Sequence, residues 1–317
     1  MPGPVEIAGP IRAAFALPPV SHRADEFVRQ YEGVRQHLVQ LTGAPRVALF
    51  QGSGTLANDV IASTLQGSGL VLVNGEFGAR IAKQAQAWDL KVRTMEWNWG
   101  EPWDLNRIAE SLQGVRWVWA VHLETSTGMV NDYRPLRDLL QARGIRLCLD
   151  CVSSLGAVPV DLHGVWLASG VSGKALGSFA GVGMVFASEI PATRRVPVYL
   201  DLAAALQTEG PRFTFSSPML AALDVALRLE RDYRPLGGLV RSKLRELQLE
   251  PMVDGPSAAP TVTTFTPPNP AFLERAMQAG FWLGGESGYL RTRGLVQIAT
   301  MGAVVSAHVE EFFHCIS

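Results

Sequence analysis

Between residues 46 and 150 the sequence alternates short apolar runs with amphipathic segments, and this alternation restricts the fold more than any other feature. Val47-Ala-Leu-Phe50, Leu70-Val-Leu-Val73, residues 91–97, residues 116–123 and Arg146-Leu-Cys-Leu-Asp150 read as strands. Helical patterns over 56–65, 77–88, 105–112 and 134–143 separate them. Strands that are nearly continuous apolar runs are buried on both faces, which requires helices above and below a mostly parallel sheet. The expected class is α/β. In such sheets ligands bind beyond the carboxyl ends of the strands. Four polar features fall at those ends: the turn Gly52-Ser-Gly-Thr55, the run Glu124-Thr-Ser-Thr-Gly128, Asp150 and Lys174.

At 317 residues the chain can bury a large core and carry a second, smaller unit. Residues 1–22, rich in Pro and Ala, read as an extended arm packing with a small domain, and 24–42 as a helix. A large domain is expected over 23–235 and a small α+β domain over 236–317. The small domain shows helical patterns at 239–247, 271–280 and 304–313, strand patterns at 261–265 and 295–299, and a surface loop at 254–260. Residues 164–187 are almost uncharged but contain many Gly and Ser residues and one lysine, so they read as two buried strands around a loop and not as a membrane span.

A net charge of −1 excludes nothing specific but gives no reason to expect nucleic acid or an anionic membrane as partner. The first residues lack the basic segment and apolar run of a secretory signal, and three cysteines are an odd number, so a reducing cytoplasm is expected. Cys148 and Cys151 have C-x-x-C spacing, but Cys148 lies inside a predicted strand and no second pair exists for zinc. Cys315 reads as a buried helix residue. The six histidines do not cluster with acids, so no metal is expected, and His122 reads as a structural or supporting residue.

Lys174 is one of four lysines. The other three sit among polar or charged residues, whereas Lys174 ends an apolar run of small residues. A lysine amine in weakly polar surroundings loses its charge more readily and becomes a nucleophile for carbonyls. The strand–turn–helix around residues 52–55 can hold a phosphate, because glycines allow close approach and N–H groups at a helix start point at the anion. It has neither the third glycine of a dinucleotide fingerprint nor the Gly-Lys-Ser/Thr of a P-loop. A phosphate cradle, a strand-end acid and a lysine are the parts that pyridoxal 5′-phosphate needs: donors for its phosphate, an ionised carboxylate for its ring nitrogen and an amine for its aldehyde. Asp150 is the natural acid, or else a cap for the turn that follows it.

The segments Pro2-Gly-Pro4, Ser21-His-Arg23, Gly52-Ser-Gly-Thr55, residues 122–128, residues 149–156 and Ser172-Gly-Lys-Ala-Leu-Gly177 together resemble the class V aminotransferases of pyridoxal phosphate fold type I. Within that family the chain is similar to the alanine–glyoxylate, serine–pyruvate and 2-aminoethylphosphonate transaminases, the last also through residues 199–202 and 212–218. The resemblance implies that Lys174 is the Schiff-base lysine and proton shuttle, and that Asp150 pairs with the ring nitrogen. Ser53, Gly54 and Thr55 match the phosphate loop, Phe77 the aromatic that stacks on the ring, Thr125 a residue near the ring hydroxyl, and Val152 one on the other face. Ser216, or else Thr214, matches a threonine that reaches the phosphate from a partner subunit, which implies a homodimer with shared sites.

There are two departures. The family's carboxylate-binding arginine on the small-domain strand corresponds to Gln297, so either Arg291 or Arg293 supplies the charge or the substrate differs. Gly173 also stands where relatives often carry a polar, phosphate-contacting side chain. The expected activity is transfer of an amino group from a small donor of the alanine, serine or 2-aminoethylphosphonate type to a 2-oxo acid such as pyruvate or glyoxylate. The alternatives are a lyase or desulfurase on the same fold, or a non-catalytic binding protein.

Overall fold

The computed structural model describes residues 1–192 and 194–316. The strands are β1 Arg46–Gln51, β2 Ser68–Val73, β3 Lys91–Glu96, β4 Trp117–Val121, β5 Leu123–Glu124, β6 Met129–Val130, β7 Arg146–Asp150, β8 Leu167–Val171, β9 Val182–Ala187, β10 Val262–Phe265 and β11 Val296–Ala299. The helices are α1 Gly9–Phe15, α2 Asp25–Thr42, α3 Gly54–Thr64, α4 Glu76–Ala87, α5 Leu105–Glu110, α6 Arg134–Gln141, α7 Leu202–Gln207, α8 Ser217–Leu227, α9 Arg234–Glu246, α10 Phe272–Gln278, α11 Gly288–Arg293 and α12 Ser306–Ile316.

A seven-stranded sheet in the order β1-β9-β8-β7-β4-β2-β3 forms the centre. Its strands are parallel except β9, which runs antiparallel to both β1 and β8. Successive residues of each strand feed opposite layers. Leu70, Val118, Leu147 and Met184 face the layer of α2, α5, α6 and α8, whereas Val71, Trp117, Cys148 and Val185 face that of α3, α4 and α7. The period of two in these runs therefore builds two cores, and withdrawing each large apolar side chain into them contributes ~1.5–3 kcal/mol. β3 closes one edge with Lys91, Arg93 and Glu96 exposed, charges that discourage pairing with another strand.

The antiparallel pair β10–β11, with α9, α10 and α12, surrounds a separate cluster that includes Phe265, Phe272 and Phe312. The segment expected as an extended arm instead contains α1, which packs through Ile11 on Ala222 and Ala226 of α8. Pro10 in the first turn of α1 presets its backbone and explains why a Pro-bearing stretch turns helical. Before α1 the chain is extended, with Glu6 bridged to Gly302 and accepting the Ala303 N–H at 3.0 Å. Cys315 lies on α12 but is exposed, because Phe312, Phe313 and Ile316 take the buried face of that helix. Among the described residues no helix is long and apolar enough to cross a membrane.

Candidate active site

The carboxyl ends of β1, β7 and β8 lie on one edge of the sheet, because those strands are parallel and β9 alone is reversed. Each end carries one of the polar features. After β1, the Gly52 N–H donates to the Gly181 carbonyl at 2.8 Å and the chain turns into α3. A Cβ on Gly54 would lie 2.6 Å from a Val152 methyl, so only glycine lets α3 start this close to the strand that bears Asp150. Ser53 is the N-cap of α3 but makes no side-chain cap bond, so the first N–H groups of the helix have no side-chain acceptor. Unpaired donors with a helix dipole behind them are an anion site. Ser216 accepts the Met219 N–H at 3.4 Å as N-cap of α8, and its own N–H donates to the Gln51 side chain, one residue before the glycine turn.

Asp150 is buried at the end of β7. Its Oδ1 accepts the Val152 N–H at 2.9 Å and its Oδ2 accepts from Asn58 Nδ2 at 2.8 Å. The acid is thus both a turn cap and part of a buried polar pair. Burial raises its pKa, opposed by these hydrogen bonds and by the charge of Lys174. Thr125 donates to Ser153 Oγ at 2.6 Å, tying the 124–128 turn to the segment that follows Asp150.

Lys174 lies in the connection between β8 and β9. Ser172 Oγ holds that connection by donating to the Phe179 carbonyl at 2.6 Å and accepting the Val182 N–H at 3.1 Å. Tyr233 donates to the Ala175 carbonyl at 2.8 Å on the other side of the lysine. Among the described residues Nζ makes no hydrogen bond and no ion pair, and it opens into a cavity of about 730 Å³ that Phe77, Thr125 and Gln297 also line. Burial pushes the Lys174 amine down to about 8, Asp150 opposing the shift and Arg80 adding to it. Gly173 is pinned: a Cβ there would lie 2.6 Å from the Ala180 Cα, which is why no side chain stands before this lysine.

Glu124 is buried and caps α4, accepting the N–H groups of Phe77 (3.1 Å) and Gly78 (3.0 Å) and the Ser126 hydroxyl (2.5 Å). Those bonds set the start of α4 and so the position of Phe77, whose ring centroid lies 6.0 Å from Lys174 Nζ. His122 is buried edge-on to Tyr133 at 4.7 Å, and burial pushes it down to about 4, so it is neutral.

The proposed substrate arginines fall elsewhere. Arg291 is exposed and lies 3.7 Å from Glu286, and Arg293 is exposed with its guanidinium 3.8 Å above the Trp99 ring. Neither lines the cavity. Both occupy the last turn of α11, a short helix whose apolar Leu290 faces inward and whose arginines therefore face outward. Gln297 does reach the cavity wall. Among the described residues the arginine that lines this cavity is Arg80, on α4, at a position that nothing local in the sequence marks.

These residues fit pyridoxal 5′-phosphate. Among the described residues the lysine amine has no hydrogen-bond or ion-pair partner, the helix start offers N–H donors without a side-chain cap, and the buried Asp150 carboxylate forms no ion pair. A protonated ring nitrogen would supply that cation, and an aldehyde and a phosphate would engage the other two.

The profile of the family described as Aminotransferase class-V matches residues 13–200. The chain is 31% identical to a 2-aminoethylphosphonate–pyruvate transaminase of Pseudomonas putida (strain GB-1) over 268 residues, covering 74% of this chain and 72% of the relative. A protein of the same name from Aeromonas hydrophila is 28% identical over 351 residues, covering 97% and 91%. Among solved structures, an alanine–glyoxylate aminotransferase from Nostoc sp. superposes with a TM-score of 0.91 at 25% identity, covering 99% of this chain and 93% of that one. An aspartate aminotransferase from Thermus thermophilus gives 0.89 at 25% identity, covering 100% and 99%. The chain therefore belongs to the class V aminotransferases of fold type I, and is a pyridoxal 5′-phosphate-dependent enzyme that transfers an amino group to a 2-oxo acid.

Proposed function

We propose that the amino donor is a small amino acid or aminoalkyl compound of the alanine, serine or 2-aminoethylphosphonate type, and that the acceptor is a short 2-oxo acid such as pyruvate or glyoxylate. The names of the relatives and solved structures described above support this reading. The observation that carries the site assignment is the unpartnered Lys174 amine facing the cavity at the same sheet edge as the buried Asp150.

In this reading Lys174 Nζ would hold the cofactor through its aldehyde and would carry the proton at the substrate Cα. With its charged form disfavoured by burial, more of the amine is neutral near pH 8 than in an ordinary lysine, which suits it to act as nucleophile and as base. The bound cofactor supplies the electron sink. Asp150 would keep the ring nitrogen charged, and Asn58 and the Val152 N–H orient its two oxygens. Ser53, Gly54 and Thr55 at the start of α3 would hold the phosphate, Phe77 and Val152 would pack on the ring, and Thr125 would serve the ring hydroxyl. Ser216 approaches a neighbouring site in a homodimer. The chain divides into an arm over 1–22, a large domain over 23–235 and a small domain over 236–317, and works in the cytoplasm, in keeping with its unpaired cysteines.

The test is spectroscopic. Purified protein with added cofactor should absorb at roughly 410–430 nm, the range of a protonated imine of this cofactor. Borohydride reduction should leave the cofactor mass on the peptide bearing Lys174, and Lys174→Ala should show neither signal. Adding alanine, serine or 2-aminoethylphosphonate should bleach the band with the true donor, and a 2-oxo acid should restore it. A wild-type protein that captures no cofactor would overturn the assignment of Lys174, and light scattering decides the dimer.

A further inference from the structure

Position 297 has the wrong polarity to receive an acid group. Gln297 is fully buried, and its Nε2 donates to the carbonyls of Thr125 (2.6 Å) and Ser126 (3.1 Å) and to Thr264 Oγ1 (2.9 Å). Two of these partners are carbonyl oxygens, which can only accept, so the amide nitrogen is fixed on their side and Oε1 on the other. Oε1 is buried, has no hydrogen-bond partner among the described residues, and belongs to a residue of the cavity wall. A carboxylate arriving there would meet a second acceptor and no donor. A 2-oxo acid nevertheless carries an anion that needs a cation inside the cavity.

Arg80 supplies the geometry. It stands in the second turn of α4, where Nε donates to Glu76 Oε1 at 2.9 Å. Its Cζ lies 5.0 Å from the Phe77 ring centroid and 5.6 Å from that of Tyr289. The ion pair and the two aromatic contacts set the plane of the guanidinium. None of them uses Nη1 or Nη2, which have no hydrogen-bond partner among the described residues. A planar fork with both terminal nitrogens free matches the two oxygens of a carboxylate or a phosphonate. Its side chain is 49% exposed, so an anion reaches it from solvent, and its Cζ and Lys174 Nζ lie 5.0 and 6.0 Å from the same Phe77 ring centroid.

We infer that Arg80 binds the acid group of the substrates through its two terminal nitrogens, in place of a guanidinium at position 297. The inference rests on the transaminase reading above and moves its anion subsite from β11 to α4. Gln297 instead clamps the Thr125–Ser126 turn to β10 and excludes a second anion from that wall.

The test uses cofactor-loaded wild type, Arg80→Gln and Arg80→Lys. Each is titrated calorimetrically with propionate and with ethylphosphonate, anions that carry no amine and no keto group. The KM and kcat for pyruvate are then measured with the donor that bleaches the wild-type band. Arg80→Gln should weaken both probes and raise KM about 10- to 100-fold, the size of a lost charge-assisted bidentate contact, with the loss falling on KM more than on kcat. Arg80→Lys should fall between, because it keeps the charge without the fork, and it also serves if the Gln variant does not fold. Probe affinities and KM within about threefold of wild type in both variants would overturn the inference. So would a wild type that binds neither probe at millimolar concentration. A wild type that binds both probes through Arg80 yet transfers no amino group would leave this inference standing and sink the proposed function.

Discussion

Asn58 donates from Nδ2 to Asp150 Oδ2 at 2.8 Å across 92 residues of sequence, and both side chains are buried. The pair joins the second turn of α3 to the end of β7, so the helix that starts at the anion turn also orients the acid. Asn58→Leu would leave Oδ2 buried without a donor and should cost about 1–3 kcal/mol of stability in the cofactor-free protein. The pH dependence has a definite sign. Burial already raises the Asp150 pKa above its unfolded value of 3.8, so the folded state binds the proton more readily and stability falls as pH rises through that interval. Removing Asn58 extends the interval upward. Urea unfolding should therefore show a larger deficit for the variant at neutral pH than near pH 4, and an equal deficit at both would refute the account.

Lys174 gives the opposite sign. Its folded pKa of about 8 lies below the ordinary 10.5, so the charged amine is a burden in the folded state. The penalty is fully present below pH 8, where both states are charged, declines between 8 and 10.5, and is absent above. Cofactor-free Lys174→Met should be more stable than wild type by about 1–3 kcal/mol at pH 7, with the advantage vanishing by the upper end of that window. Thermal melts at several pH values check the trend, and a variant less stable at pH 7 would contradict it.

Both oxygens of Glu124 accept N–H donors: Oε2 from Phe77 and Gly78, Oε1 from Ser126. An amide must turn its own NH₂ toward one of these sets, so Glu124→Gln should lose about 2–3 kcal/mol despite its equal size. Because α4 carries Phe77, cofactor affinity should fall with it. Equilibrium unfolding and calorimetric cofactor titration measure the two effects separately, and an unchanged unfolding free energy would show that the cap is unimportant.

Gly173→Ser tests how tightly the lysine connection is packed. The new Cβ would lie 2.6 Å from the Ala180 Cα and 2.9 Å from its N, backbone atoms that cannot swing aside. A loss of about 1–3 kcal/mol is expected, together with weaker cofactor retention. A serine variant that binds cofactor more tightly than wild type would mean that the connection opens to admit a phosphate contact.

Much of the site is legible in the sequence because isolated residues end apolar runs. Lys174, Asp150 and the 52–55 turn each follow a strand whose burial on both faces shows in consecutive apolar residues, and parallel strands put their ends together. Helices α7, α8 and α11 leave no such pattern. They are short or nearly uniformly small and apolar, so they lack a clear 3.6-residue stripe. Asn58 escapes notice because its partner is distant in sequence, and nothing local distinguishes a buried Asn on a helix from a surface one. Arg80 escapes for a related reason: with Glu76 four residues before it, it has the signature of a solvated helix pair, and its cavity face emerges only when Tyr289 is brought against Phe77. Arg291 and Arg293 are favoured by proximity in sequence to position 297, but the turn at Gly294 points them away from it.

The single reversed strand, β9, acts as a gauge. It is hydrogen-bonded on one side to the strand that ends in the anion turn and on the other to the strand that leads to Lys174, with Gly183 paired to both Phe50 and Val171. The separation between the two strand ends from which these groups project is therefore counted in rungs of a ladder. A one-residue insertion inside β9 would turn its side chains to the opposite layers and shift both partners at once. Length changes should accordingly be tolerated in the connections on the far edge of the sheet and rejected in this hairpin, so that deletion and insertion scanning would draw the outline of the site with no substrate present.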